Sequence, residues 1–159
     1  MGTKAKVLVG VATVTLDIGL GSELVVGYTA DGVDMAFRSD FFDAKVEEIV
    51  GTIKRAIIDQ TLEVTLNMAE GTLDNMTAAI PSASLAVATI TLGGGSLQDT
   101  TLTLVGTDPA GAARTITLAS VNPVGEVGIP YKKGEISIVP VTFSAVVDDS
   151  GNYGTLVDS

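Results

Sequence analysis

The 159-residue sequence contains neither histidine nor cysteine. Without cysteine the chain has no disulfide, no thiolate nucleophile and no metal site with sulfur ligands. Without histidine it lacks the commonest general base and the commonest transition-metal ligand. These two absences exclude most hydrolase and metalloenzyme mechanisms. We therefore expect no catalytic site, no metal site and no cofactor, and we do not expect an enzyme.

Aromatic residues are also scarce: they make up 4% of the chain, whereas hydrophobic residues in total make up 46%. The core must therefore be built from Val, Ile, Leu, Ala and Met, and β-branched side chains favour strands. A disordered chain is poor in these residues, so we expect the sequence to fold. Its length fits a single domain, which we assign to residues 1–159.

Basic residues are few, with 9 Lys and Arg against 19 Asp and Glu, and the net charge is −10. The basic residues do not cluster, and sequence-specific binding of nucleic acid needs clustered Lys and Arg. We therefore exclude that class of function. An acidic surface can still face DNA without binding it, because like charges repel.

No segment is long and apolar enough to span a membrane as a helix, and we expect no membrane partner. The N-terminus superficially resembles a signal peptide, because Lys4 and Lys6 precede an apolar run. Thr13 and Asp17 interrupt that run, however, and the alternation over residues 5–15 predicts a strand of the mature protein.

Two motif-like stretches are interpreted as turns. Gly93–Gly95 is not followed by the Lys-Ser/Thr pair of a phosphate-binding loop. Asp148–Asn152 resembles the opening of a calcium loop, but Tyr153 occupies the position where that loop needs glycine.

The periodicity predicts a mainly β fold, a β-sandwich or small barrel with one flanking α-helix. The helix is expected at about 69–80, capped by Thr72 and stopped by Pro81. A turn is expected at residues 30–32, because Gly32 can supply the positive φ of a tight hairpin. Strands are predicted at 24–28, 33–38, 53–68, 85–92, 100–106, 113–120, 135–147 and 154–157.

The strand at 53–68 is unusually long, since strands of about five or six residues are typical. It alternates cleanly, with Leu62, Val64 and Leu66 on one face and charged or polar residues on the other. We expect it either to project beyond its sheet or to bend at Gln60. An overhanging strand needs a partner.

Residues 39–52 combine apolar and acidic side chains and are predicted to form a long loop. Five apolar residues are too many for a solvated loop, so the segment must be buried against its own domain or against a neighbouring chain. We favour the second alternative and interpret the segment as an assembly loop with inter-subunit or inter-ring contacts. The proposed contact residues are Phe41, Phe42, Val46, Ile49 and Val50.

Three stretches in order resemble the major tail tube proteins of long-tailed, non-contractile bacteriophages. Residues 26–33 are similar to a G-Y-T-x-D-G-V turn, residues 62–76 to a long strand entering A-E-x-T-L-x-N-L and a helix, and residues 138–149 to a closing I-P-V-x-F-x-A-x-x-D strand. Met76 replaces a leucine of that pattern, and Gly71 interrupts the start of the helix. The resemblance is weakest between Ile80 and Glu135. Its turn and helix motif rests on Tyr28, Asp31, Gly32, Glu70 and Leu73.

This resemblance implies a virion protein of the phage tail, made in the host cytoplasm, that forms hexameric rings stacked into a tube. The sheets of the subunits would join into a continuous inner barrel. Genomic DNA and the tape-measure protein would occupy the lumen without specific binding, and tail initiator and terminator proteins would be further partners. The tube would serve as a conduit for DNA ejection, for which an acidic chain is suited.

Two alternatives remain open. The first is a related tube-like tail component, such as a distal tail, baseplate or terminator subunit, because these reuse the same sandwich. The second is a carbohydrate-binding or adhesin-like β-sandwich. That class needs exposed aromatic platforms for sugar stacking, and the chain has no Trp and three Tyr.

Overall fold

The computed structural model describes residues 12–17, 23–97, 99–131 and 133–159, so most of the strand predicted at 5–15 lies outside the described residues. The described part contains ten strands and one helix. The elements are β1 (Thr13–Asp17), β2 (Glu23–Val25), β3 (Thr29–Val46), β4 (Ile49–Met68), α1 (Leu73–Ala79), β5 (Ser84–Ala86), β6 (Thr89–Thr91), β7 (Thr100–Thr107), β8 (Ala113–Val124), β9 (Val139–Ala145) and β10 (Gly154–Asp158).

Eight of the strands form one antiparallel sheet in the order β2-β1-β7-β8-β9-β4-β3, with β10 also pairing with β8. Strands β5 and β6 form a separate two-stranded hairpin. The described part of the protein is therefore mainly β with one short helix, as the sequence predicts, and is consistent with a β-sandwich or small barrel.

The core is aliphatic. Along β4 every second side chain from Leu62 to Met68 is buried, and β9 repeats this alternation from Val139 to Ala145. Successive side chains of a strand point to opposite faces, so this pattern places one face of each strand against the core. Phe143 is 1% exposed and is the single aromatic residue among the buried core residues described.

Thr72 caps the helix as predicted: its side-chain oxygen accepts a hydrogen bond from the backbone N of Asn75 at 3.2 Å. The helix itself spans Leu73–Ala79 and so begins later than the predicted 69–80. Such a cap satisfies one of the amide groups that a helix leaves unpaired at its start. The buried Asn75 side chain then donates to the backbone oxygens of Val26 and Glu70, both at 3.0 Å. The bond to Val26 fixes the helix to the segment between β2 and β3.

The structure corrects the prediction of a loop at residues 39–52. These residues continue β3 and begin β4, which pair across a tight turn at Glu47 and Glu48. The segment is therefore the end of a long β-hairpin. The backbone groups of this apolar stretch are satisfied by cross-strand hydrogen bonds, which an irregular loop does not provide.

Two further predictions about turns are corrected. The chain does not reverse at residues 30–32: Asp31 and Gly32 have positive φ of 60° and 78°, but they form a bulge within β3, between the pairs Ala30↔Asn67 and Val33↔Leu66. A bulge absorbs extra residues without ending the strand. The single strand predicted at 85–92 is instead the short β5–β6 hairpin.

Candidate functional site

The end of the β3–β4 hairpin projects beyond the rest of the sheet. We call residues 38–61 the arm: Arg38 pairs with Thr61 at its base, and Val46 pairs with Ile49 at its tip. Strand β9 pairs with β4 only from Glu63 onward, so in the described chain the two arm strands pair only with each other. The nine arm residues of β3, Arg38 to Val46, give the arm a length of about 30 Å at about 3.3 Å per residue.

Apolar side chains of the arm are exposed to solvent. All five predicted contact residues lie here, and their exposure ranges from 39% for Val46 to complete exposure for Val50. The structure adds three residues that the sequence analysis did not assign to the contact. The exposed apolar set is Phe41, Phe42, Val46, Ile49, Val50, Ile53, Ile57 and Ile58.

These side chains occupy both faces of the arm. Phe41 lies opposite Ile57, whereas the next residue, Phe42, lies opposite Ala56. Because cross-strand partners share a face and successive residues alternate, the two pairs lie on opposite faces. An ordinary strand at the edge of a core has one polar face, so the arm differs from such a strand.

Polar interactions support the pairing of the arm strands. The Arg55 guanidinium donates two hydrogen bonds to Asp43, at 2.6 and 2.9 Å, and its carbon lies 5.5 Å from the centre of the Phe41 ring. The hydrogen bond from Arg55 is the main cause that lowers the pKa of Asp43 below its ordinary value of 3.8. This pair is solvent-exposed, so it contributes little to global stability.

The predicted turn and helix residues lie away from the arm tip, at the base of β3. The backbone N of Tyr28 donates to Glu70 Oε1 at 3.1 Å, and the backbone N of Ala69 donates to the Tyr28 carbonyl at 2.9 Å. Asp31 and Gly32 form the bulge described above. Leu73 begins the helix and is 41% exposed. The structure thus brings Tyr28 and Glu70 into contact.

The acidic stretch at 148–152 forms the predicted turn. Asp148 Oδ1 accepts from the backbone N of Ser150 and of Asn152, both at 2.8 Å. Within the described ranges, no group of three or more Asp or Glu side chains is placed to hold a metal ion. No helix in the described part of the chain is long and apolar enough to cross a membrane.

Neither a protein-family model nor a curated protein matches the chain. Among solved structures, it is similar to a chain of the sheath–tube complex of PVC, an extracellular contractile injection system, in the extended state. The identity is 13%, the TM-score is 0.48, and 94% of this chain and 89% of that chain are covered.

A second similar structure is the anti-feeding prophage cap, which terminates the AFP tube. Here the identity is 13% and the TM-score is 0.42, with 92% of this chain and 88% of that chain covered. Both TM-scores lie below 0.5 and both identities are low, so neither similarity assigns a function to this chain.

Proposed function

We propose that the chain is a structural subunit that assembles with copies of itself into a tail tube of the kind found in long-tailed, non-contractile bacteriophages. The observation that supports this most directly is the arm, which exposes eight apolar side chains and projects as a two-stranded ribbon. Soluble monomers rarely expose so many large apolar side chains on one projecting element. Covering the arm by another copy removes this surface from water.

In the proposed assembly the arm of one copy contacts a surface of the next copy other than its arm, so the contact joins unlike surfaces. Such a head-to-tail contact repeats from copy to copy and generates a closed ring or an open stack. The resemblance of the sequence supplies the particular assembly: hexameric rings stacked into a tube, with tape-measure protein and DNA in the lumen and with initiator and terminator proteins at the ends.

The distribution of charge is compatible with a DNA conduit. The arm contains 5 of the 19 acidic residues and 4 of the 9 basic ones, so nearly all of the net charge of −10 lies outside it. A wall that carries this charge would repel DNA and let it slide. We expect acidic side chains to outnumber basic ones on the inner wall, and a net positive wall would contradict the conduit.

Electron microscopy of the purified protein at high concentration, with and without tail-initiator complexes, tests the proposal. We expect rings or tubes for the unmodified chain and none for Ile49→Asp, because a carboxylate at the arm tip resists burial. Phe41→Ser should weaken assembly in the same way. Both variants should keep the circular dichroism spectrum of the folded monomer, since neither residue contacts the core.

Val87→Asp is the control, because it also replaces an exposed apolar side chain by a carboxylate, but in the turn between β5 and β6. It should assemble like the unmodified chain. A chain that stays a monodisperse monomer under all conditions would contradict self-assembly. Single closed rings without stacking would favour a terminator or distal tail subunit over a tube subunit.

A further inference from the structure

The sheet splits beside the base of the arm. On one side of β8, β9 pairs with residues Val121–Val124 and β10 pairs with residues Arg114–Leu118. Strand β4 follows β9 but is not paired with β10 in the described structure. A groove of about 390 Å³ therefore opens between the base of the β3–β4 hairpin and the β8–β10 pair.

The groove is uncharged along its whole lining. Its floor includes Leu62 and Leu118, which are nearly fully buried, and its walls include the exposed side chains of Phe37 and Leu156. The Tyr153 ring contacts Phe37 edge to face, with 6.0 Å between ring centres. Unpaired charge is costly to bury, so this groove favours an occupant that presents apolar side chains to it.

One backbone group at the groove is paired by a side chain and not by a neighbouring strand. The Tyr153 hydroxyl donates to the backbone oxygen of Gln60, which lies on β4 just beyond the last residue that β9 covers. A side chain thus satisfies a carbonyl that a neighbouring strand would otherwise satisfy. The outer edge of β10 is likewise unpaired in the described chain, so two strand edges border the groove. Such edges are templates for another strand.

The distribution of charge indicates which part of a second copy can occupy the groove. Outside the arm there are 14 acidic and 5 basic residues, so most of the surface of a second copy is repelled by this one. The arm has 5 acidic and 4 basic residues, so its net charge is only −1, and it exposes large apolar side chains on both faces. In the described chain the outer edges of its two strands are unpaired. It cannot enter the groove of its own chain, because its base is one wall of that groove. We infer that the groove receives the arm of a second copy.

This inference rests on the proposed function and names the receiving surface for the arm. Each copy then donates one arm and accepts one, and the inserted ribbon covers Phe37 and Leu156. The contact is between unlike surfaces, so it continues from copy to copy until a ring closes or a stack grows.

Cross-linking tests the inference. Because the chain has no cysteine, the introduced residues are the only ones that can form a disulfide. Leu156→Cys, carrying a size tag, is mixed with untagged Phe42→Cys, Val50→Cys or Ile57→Cys, and the mixture is oxidised under assembly conditions. We expect a mixed disulfide dimer with at least one of the three arm variants. Val87→Cys in place of Leu156→Cys is the control and should give none.

Electron microscopy of the same samples separates the two proposals. Rings or tubes without any mixed dimer would overturn the groove assignment and leave self-assembly intact. The absence of rings and tubes from the unmodified chain would overturn both. Mixed dimers with the Val87→Cys control at equal yield would also overturn the groove assignment, because the cross-link would then report collision alone.

A pair of complementary variants gives a second readout. Leu156→Asp retains an intact arm, and Ile49→Asp retains an intact groove, so each alone should remain a 16.2 kDa monomer. Mixed together they have one working interface and should elute as a dimer without longer assemblies. A mixture that stays monomeric while the unmodified chain polymerises would contradict a contact between arm and groove.

Discussion

At the residue scale, the junction between β2 and β3 depends on a glycine. Gly27 has a φ of +79°, and a Cβ atom there would lie 2.4 Å from Glu70 Oε1. That carboxylate accepts from the backbone N of Tyr28 at 3.1 Å. A side chain at position 27 would therefore strain the backbone and also displace the carboxylate from its donor.

We predict that Gly27→Ala lowers the free energy of unfolding by about 2–3 kcal/mol, the sum of left-handed backbone strain and the lost hydrogen bond. Gly32→Ala is the matched control: its φ is +78°, and nothing lies within 4 Å of a Cβ there. Gly32→Ala should lower the free energy of unfolding by about 1 kcal/mol. Urea denaturation of the monomeric Ile49→Asp variant measures both. In a Glu70→Ala background, Gly27→Ala and Gly32→Ala should lower the free energy of unfolding equally. A difference that persists would show that Glu70 does not cause the larger effect at position 27.

A second prediction concerns the arm ion pair. The Arg55 guanidinium lowers the pKa of Asp43, so the pair is formed above the ordinary value of 3.8 and is lost as the pH falls through the lowered pKa. In Arg55→Gln we expect the Asp43 titration, followed by carboxyl NMR on the Ile49→Asp background, to return towards 3.8. Asp158, whose pKa Arg114 lowers in the same way, should not change. An unchanged Asp43 midpoint would show that Arg55 is not the cause.

At the scale of elements, the arm and the body of the fold are separable. Every buried core residue described lies outside residues 38–61, and the first on β4 is Leu62. Ser39 and Gln60 face each other as a cross-strand pair, and the Gln60 amide donates to the Ser39 hydroxyl at 3.2 Å. This pair is therefore a natural point at which to close a shorter hairpin.

We predict that replacing residues 40–59 by Asn-Gly leaves a folded monomer, because this dipeptide favours the two-residue hairpin turn and no core contact is removed. The free energy of unfolding should change by no more than about 1 kcal/mol, since the arm contributes little buried area. Electron microscopy should show no rings or tubes. Loss of folding would place the arm in the core of the monomer, and tubes without the arm would contradict its proposed role.

At the scale of the whole molecule, charge opposes assembly. Copies with a net charge of −10 repel one another, and the nearly neutral arm offsets this only where it makes contact. Added salt shortens the Debye length from about 30 Å at 0.01 M to about 8 Å at 0.15 M.

We therefore predict that assembly, followed by light scattering, is faster at 0.15 M than at 0.01 M sodium chloride. Sucrose at matched osmolality is the uncharged control and should not reproduce the whole effect. Slower assembly in salt would show that attraction between charged surfaces, rather than the apolar arm, drives the contact.

The sequence alone determined the properties that depend on residue type and local spacing. The absence of His and Cys excluded whole classes of chemistry. Alternation over Leu62–Met68 predicted which side chains are buried, and Thr72 with Pro81 bounded the helix. These features depend on neighbours within a few residues, where backbone geometry fixes the direction of each side chain.

Tertiary structure decided the features that depend on pairing between distant residues. Residues 39–52 have apolar side chains on both faces, so the spacing of these side chains does not distinguish a loop from a strand. Only their pairing with residues 49–60 makes them part of a hairpin. The exposure of the arm follows from β9 ending its pairing at Glu63. The groove forms because β9 pairs with only one end of β8, and β10 pairs with the other end. Such relations arise from where strands stop, which local sequence does not encode.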